Sequence, residues 1–169
     1  MTISQAQQAK DYALIKAVTK DDVKAVRSAI ENGANPNTRW QPHGQPNRQN
    51  YTALHLAVHR ESVGVVKELL KAENINVNAR DGYGSTALSS ATFMHMASIV
   101  EALLKHPKIK PHLKDDDEKR ESPWDHARMD TTENGPKIRG LFAKKEKMSW
   151  EEAVKNSNAG QAETKTLGR

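Results

Sequence analysis

The chain has 169 residues, 36% of them hydrophobic, 28% charged and only 5% aromatic, with no cysteine and a net charge of +5. This composition excludes disulfides, thiolate metal sites and a cysteine nucleophile, and it does not suit a core packed around aromatic rings. No apolar run reaches the roughly 20 residues of a membrane span, and the start, "MTISQAQQAKDY", has no signal-peptide-like apolar stretch, so a soluble, cytoplasmic protein is expected.

In chain order, the first pattern is "ALIKAVTKDDVKAVRSAIENGANPN". Leu14 and Ala17 sit one helical turn apart, a polar break follows, and Ala25, Val26, Ala29 and Ile30 form a second stripe at helical spacing. The next pattern, "TALHLAVHRESVGVVKELLKAENINVNA" from Thr52, has the same layout. It recurs as "TALSSATFMHMASIVEALLKHPKIKPHL" from Thr86, an offset of 34 residues (86 − 52). A weaker echo, "ESPWDHARM", places Trp124 and Ala127 where Leu88 and Ala91 stand. Four units are expected, at about 10–37, 51–79, 85–113 and 121–143, the first and last degenerate. In each, a Thr or Ser can cap a short helix, and a small Ala lets a neighbour approach closely. A second short helix then ends in turn-forming Gly and Asn. Neither helix is long enough to stand alone, and each unit is apolar on two flanks. Stacking buries both.

The words "TALHLAV", "VGVVKELL", "NGANPNTR" and "NINVNARDGYGST" together resemble the ankyrin repeat, although Ala53 stands where that family favours Pro and Ser89 where it favours His. The resemblance spans roughly residues 10–143, most of the chain. It implies an all-α solenoid of stacked helix-turn-helix units with projecting β-hairpin-like turns, and a protein-protein interaction scaffold or adaptor without catalysis. It also implies a concave face and turn fingers that bind another protein. For His55 it implies a structural role, tying turns together by hydrogen bonds to backbone. A monomer with no cofactor and no membrane association is expected.

Within that frame, two departures mark candidate partner-binding residues. The turn from Asn37 to Thr52 is longer than that from Asn78 to Thr86, and its loop, 38–50, holds Arg39, Trp40, His43 and Arg48. Trp and Arg are frequent at binding hot spots, so the loop reads as a recognition finger; the alternative is that Trp40 folds back to plug a gap. The other departure is "ATFMHM", where Phe93 and Met94 replace the polar His59 and Arg60 of the previous unit. An exposed Phe with a Met beside it suits a partner, whereas Met96 reads as core. His59, Arg60 and Tyr83 complete the expected contact set.

Other patterns carry less. His55 and His59 are four apart, yet no Glu follows His55 and no third ligand is placed, so no metal is expected. The acidic run Asp115 to Glu118 lacks the spacing of a calcium loop and reads as a solvated turn. Residues 144–156 read as a basic segment and short helix, opened by Ser149 and Glu152 as a capping box with Trp150 and Val154 on one face. Residues 157–169 read as a disordered tail. The basic stretch 137–147 leaves a nucleic-acid accessory as one alternative, and by analogy with small ankyrin proteins of intracellular bacteria a secreted effector acting in a host cytosol is another.

Overall fold

The computed structural model describes residues 3–40, 50–116 and 120–148. Two long-range layers of helices run through it. The first helices of the units are α1 (Ile3–Thr19), α3 (Ala53–His59), α5 (Ala87–Phe93) and α7 (Pro123–Met129). The second helices are α2 (Val23–Glu31), α4 (Val63–Leu69) and α6 (Ala97–Leu104), with helical residues 135–148, here α8, closing the stack. Each first helix packs on the next (α1 on α3, α3 on α5, α5 on α7), and α2, α4 and α6 do the same. Position in the stack therefore follows order along the chain.

Capping starts three of the short helices as the sequence leads one to expect. The side chains of Thr52, Thr86 and Ser122 accept from the backbone N–H of His55, Ser89 and Asp125. Ser122 and Asp125 complete a capping box with Pro123 just inside the helix. The small residues Ala17, Ala57, Ala91 and Ala127 are buried at the contacts between first helices. Leu14, Leu54 and Leu88 are fully buried one turn earlier, and Val26, Val65, Val66, Leu69, Val100 and Leu103 form the inward stripe of the second helices. Gly64 sits where a Cβ would lie 2.9 Å from Val23 Cγ2, so α4 can approach α2 only without a side chain there. Met96 is half-buried and packs against the core.

The first and second helices of a unit are joined by the same device three times. Asp21, Glu61 and His95 adopt the left-handed conformation (φ 55, 55 and 57°). Around them Asp21 N donates to Val18 O and Asp22 N to Ala17 O. Glu61 with Ser62, and His95 with Met96, repeat that pair of bonds. This is the helix-ending motif that usually employs Gly at the left-handed position. The fourth unit departs from it: Asp130, which ends α7, is extended (ψ 111°).

Between units the chain turns back on itself. β1 (Arg39–Trp40) and β2 (Tyr51–Thr52) pair antiparallel, with Arg39 opposite Thr52 and Trp40 opposite Tyr51. The next turn keeps only a bridge between Arg80 and Thr86. The helix α8 contributes buried Ile138 and Phe142, whose ring lies 5.6 Å from that of Trp124. Lys145 Nζ reaches His106 O at 3.4 Å, which sets α8 beside the end of α6. The capping-box residues Ser149 and Glu152, with Trp150 and Val154, lie outside the described residues, as do His43 and Arg48.

Candidate functional site

Two features face outward from the stack: the hairpin turns and the open edge of the first helices. The turns are stiffened by asparagines. Asn37 Nδ2 donates to Asn74 O (2.8 Å) while its Oδ1 accepts from Asn76 N (2.7 Å). Asn78 repeats this one unit on, with Lys108 O (2.7 Å) and Lys110 N (2.9 Å). Each carboxamide therefore clips one turn to the next through a donor and an acceptor at once. Arg39 continues the series. It is exposed, but its guanidinium donates to Asn50 O (2.7 Å) and Arg80 O (2.9 Å). Arg80 in turn reaches Lys114 O (2.5 Å). Trp40 is half-buried and packs against the core. Tyr83 stands at the tip of the second turn, half exposed, where Asp81 Oδ1 accepts from Tyr83 N (2.9 Å) and Ser85 N (3.0 Å). Gly84 at φ 81° leaves no room for a side chain against Asp116.

The edge of the first helices carries a row at one register: Thr19, His59, Phe93 and Met129 close α1, α3, α5 and α7. Its chemistry changes along the stack. Thr19 is half-buried. His59 is half-buried against the Tyr51 ring (4.5 Å between centroids), and burial lowers the affinity of its imidazole for a proton. Phe93 and Met129 are open to solvent, 68% and 57% exposed, with Met94 beside Phe93 at 37%. The Phe93 ring meets His126, one turn before Met129, edge-on at 5.7 Å. Arg60 is exposed beside His59. Thus the two C-terminal units present a run of soft apolar side chains on a stack whose other large apolar groups are mostly sealed.

Behind this edge lies a polar network. Buried His55 bonds Thr52 Oγ1 through Nδ1 (2.8 Å) and Ser85 O through Nε2 (3.0 Å). A carbonyl can only accept, so Nε2 carries the proton and Nδ1 accepts from the Thr52 hydroxyl. Burial pushes this imidazole down to about 4, so it is neutral at physiological pH. In the next unit Ser89 replaces His, and Asp115 fills the space. Ser89 Oγ donates to Asp115 Oδ2 (2.5 Å) and Ser85 Oγ donates to the same oxygen (3.1 Å). His126 Nε2 approaches it at 3.6 Å. The reading of Asp115 as part of a solvated turn is therefore corrected: it is 3% exposed, because two hydroxyls need a carboxylate acceptor where an imidazole is missing. Its neighbour Asp116 is exposed. Among the described residues no three His, Asp or Glu side chains gather as a metal-binding group.

A profile of three ankyrin-repeat copies matches residues 14–115, well over half of the chain. The chain belongs to the ankyrin-repeat family. It is similar to the human transient receptor potential cation channel subfamily A member 1, 33% identical over 89 residues. That match covers 53% of this chain and 7% of the channel. It is also similar to the human neurogenic locus notch homolog protein 4, 36% identical over 80 residues, which cover 47% of this chain and 4% of the relative. The chain thus spans under a tenth of the length of either relative.

As an ankyrin stack, the chain has its helices where the repeat spacing expects them, and its turns are hairpin-like. Of the residues singled out from the sequence, Phe93, Met94, His59 and Arg60 lie together on the first-helix edge, and Arg39, Trp40 and Tyr83 lie on the turns. Met129 was not singled out. The signal was present, because the offset of 36 that superposes Trp124 on Leu88 also superposes Met129 on Phe93.

Proposed function

We propose that this ankyrin-repeat protein is a non-catalytic interaction scaffold in the cytosol that holds another protein against its first-helix edge and hairpin tips. Ankyrin repeats serve generally as protein-protein interaction modules, which supports this at class level. The observation that carries the finer reading is the pair Phe93 and Met129. They are large, apolar and mostly exposed at one register on adjacent units, with Met94 alongside. Their burial under a partner would remove apolar area from water at roughly 25 cal/mol per Å². Met and Phe adapt to more than one shape and suit the centre of such a contact. Tyr83 and Arg60 would form its rim, and Trp40 would contribute the part of its ring that the core leaves open.

The test is capture of partners from a lysate of the source organism by wild type and by Phe93→Ala/Met129→Ala, quantified by mass spectrometry. Both side chains are exposed, so the variant should keep its circular dichroism and melting temperature while losing at least tenfold of specifically captured protein. Capture of the same proteins at the same level would refute the assignment of this edge.

A further inference from the structure

On the opposite layer, away from Phe93 and Met129, the second helices α4 and α6 enclose a groove of about 650 Å³. Its floor is apolar, formed by half-buried Val63 and Leu70 and buried Ala102, with exposed Pro107 also in the lining, and its walls carry Lys67, Lys71, Lys105 and His106 against a single carboxylate, Glu101. The lysines are held in different ways. Lys71 Nζ lies 2.8 Å from Glu68, whose carboxylate also takes Arg27 at 2.8 Å. Lys105 lies 2.8 Å from Glu101 and is 73% exposed. Lys67 has no ion pair within 4.0 Å among the described residues. From the far side α8 adds Lys145, bonded to His106 O, and Lys137, whose charge acts on Glu101. The rim is therefore left with unbalanced positive charge around a greasy floor.

We propose that this groove docks an acidic amphipathic segment of a partner protein, with apolar side chains on Val63, Leu70 and Ala102 and carboxylates on Lys67, Lys71 and Lys105. Charge complementarity selects the sign of the ligand, since exposed Lys–Glu pairs such as Lys105–Glu101 are weak and exchange readily for an incoming carboxylate. The recessed apolar floor selects a peptide. Nucleic acid would call for large aromatic rings on which successive bases stack, and no Trp, Tyr or Phe lines the groove. A lipid surface would call for large apolar groups that protrude beyond the cations, whereas here Lys67, Lys71 and Lys105 are exposed while Val63, Leu70 and Ala102 are half-buried or buried. The site is separate from the first-helix edge, so one protein could engage two partners at once.

A displayed library of random 16-residue peptides, panned on the full chain, tests this directly. Enriched peptides should carry Asp or Glu flanking Leu, Ile or Phe. Their affinity should fall at least tenfold in Lys67→Glu/Lys105→Glu and fall again between 50 and 500 mM salt. Their amide shift changes should map to Val63, Leu70 and Ala102, and Phe93→Ala/Met129→Ala should bind them as wild type does. Lys67 and Lys105 are exposed, and circular dichroism checks that the reversal leaves the fold intact; Lys67→Gln/Lys105→Gln should give an intermediate loss. The proposal is overturned if no peptide is enriched, if the enriched peptides lack acidic residues, or if the charge-reversed protein binds them equally. It is equally overturned if a 20-nucleotide single-stranded DNA or a phosphatidylserine vesicle binds through Lys67 and Lys105 while acidic peptides do not.

Discussion

His55 shows how one side chain couples folding to pH. Its imidazole is 1% exposed and fully bonded as the neutral form, with Thr52 Oγ1 on one nitrogen and Ser85 O on the other. Desolvation lowers its proton affinity from the ordinary 6.5 to about 4. As pH falls, the unfolded chain takes up a proton near 6.5 while the folded chain resists until about 4. Stability is therefore full above pH 6.5 and declines through that window, by up to about 3 kcal/mol at roughly 1.4 kcal/mol per unit. His59, also lowered by burial, adds in the same direction. Urea denaturation at steps between pH 7 and 4.5 should show this slope. His55→Gln should be less stable at pH 7 and have a shallower slope. Glu68 acts with the same sign but lower on the scale and for a different reason: hydrogen bonds from Arg27, then Lys71, hold its carboxylate at about 2, so its contribution is present above its ordinary value of 4.5 and is lost only as pH falls toward 2.

At the scale of elements, the repeated turn between first and second helices carries a removable cost. Asp21, Glu61 and His95 hold a left-handed conformation that costs a residue with a Cβ about 1 kcal/mol relative to Gly. Glu61 is exposed, so Glu61→Gly should relieve strain without removing packing. Part of the gain is offset because Gly widens the unfolded ensemble, and a net stabilisation of about 0.5 kcal/mol is expected by chemical denaturation. Asp21 and His95 are poorer targets, since Ser62 Oγ donates to the Asp21 carboxylate and His95 Nδ1 lies 2.9 Å from the buried Asp130 carboxylate. The asparagine clips predict the opposite sign. Asn78→Ala removes a bond to Lys108 O and one from Lys110 N, and should lower stability by about 1–3 kcal/mol. Its mark would be faster amide exchange in residues 106–114, while α1 and α2 exchange as before.

Taken whole, the molecule is a one-dimensional stack whose ends matter most, because a terminal unit has a neighbour on one side only. The closing unit is held by Phe142 and Ile138, both fully buried, with Trp124 against the Phe142 ring. Phe142→Ala should cost about 3–5 kcal/mol locally. Since α8 is at the edge, this loss should appear as opening of residues 120–148 before the rest. Hydrogen exchange should show protection lost there first and then in α5 and α6, with α3 and α4 retained longest. A single cooperative loss across all units would mean that the cap is not a separable element.

The sequence alone determined the architecture. A helix buries a stripe set by its 3.6-residue period, and Leu54, Ala57, Val65, Val66 and Leu69 display that stripe twice over a repeat of fixed offset. Caps are equally legible, because Thr52, Thr86 and Ser122 bond to a backbone N–H three residues on. Candidates on the first-helix edge could be found in the same way, by comparing Phe93 with His59. Only the tertiary structure decided the rest. The burial of Asp115 depends on hydroxyls contributed by Ser85 and Ser89, far away in sequence, and the half-buried Trp40 depends on which surfaces the hairpin brings against the core. Pairings of this kind carry no period, so a linear pattern holds no trace of them. The groove between α4 and α6 is of the same nature: it exists because Val63 and Ala102 come to face each other when two units stack, and its charge is set by lysines contributed from both helices.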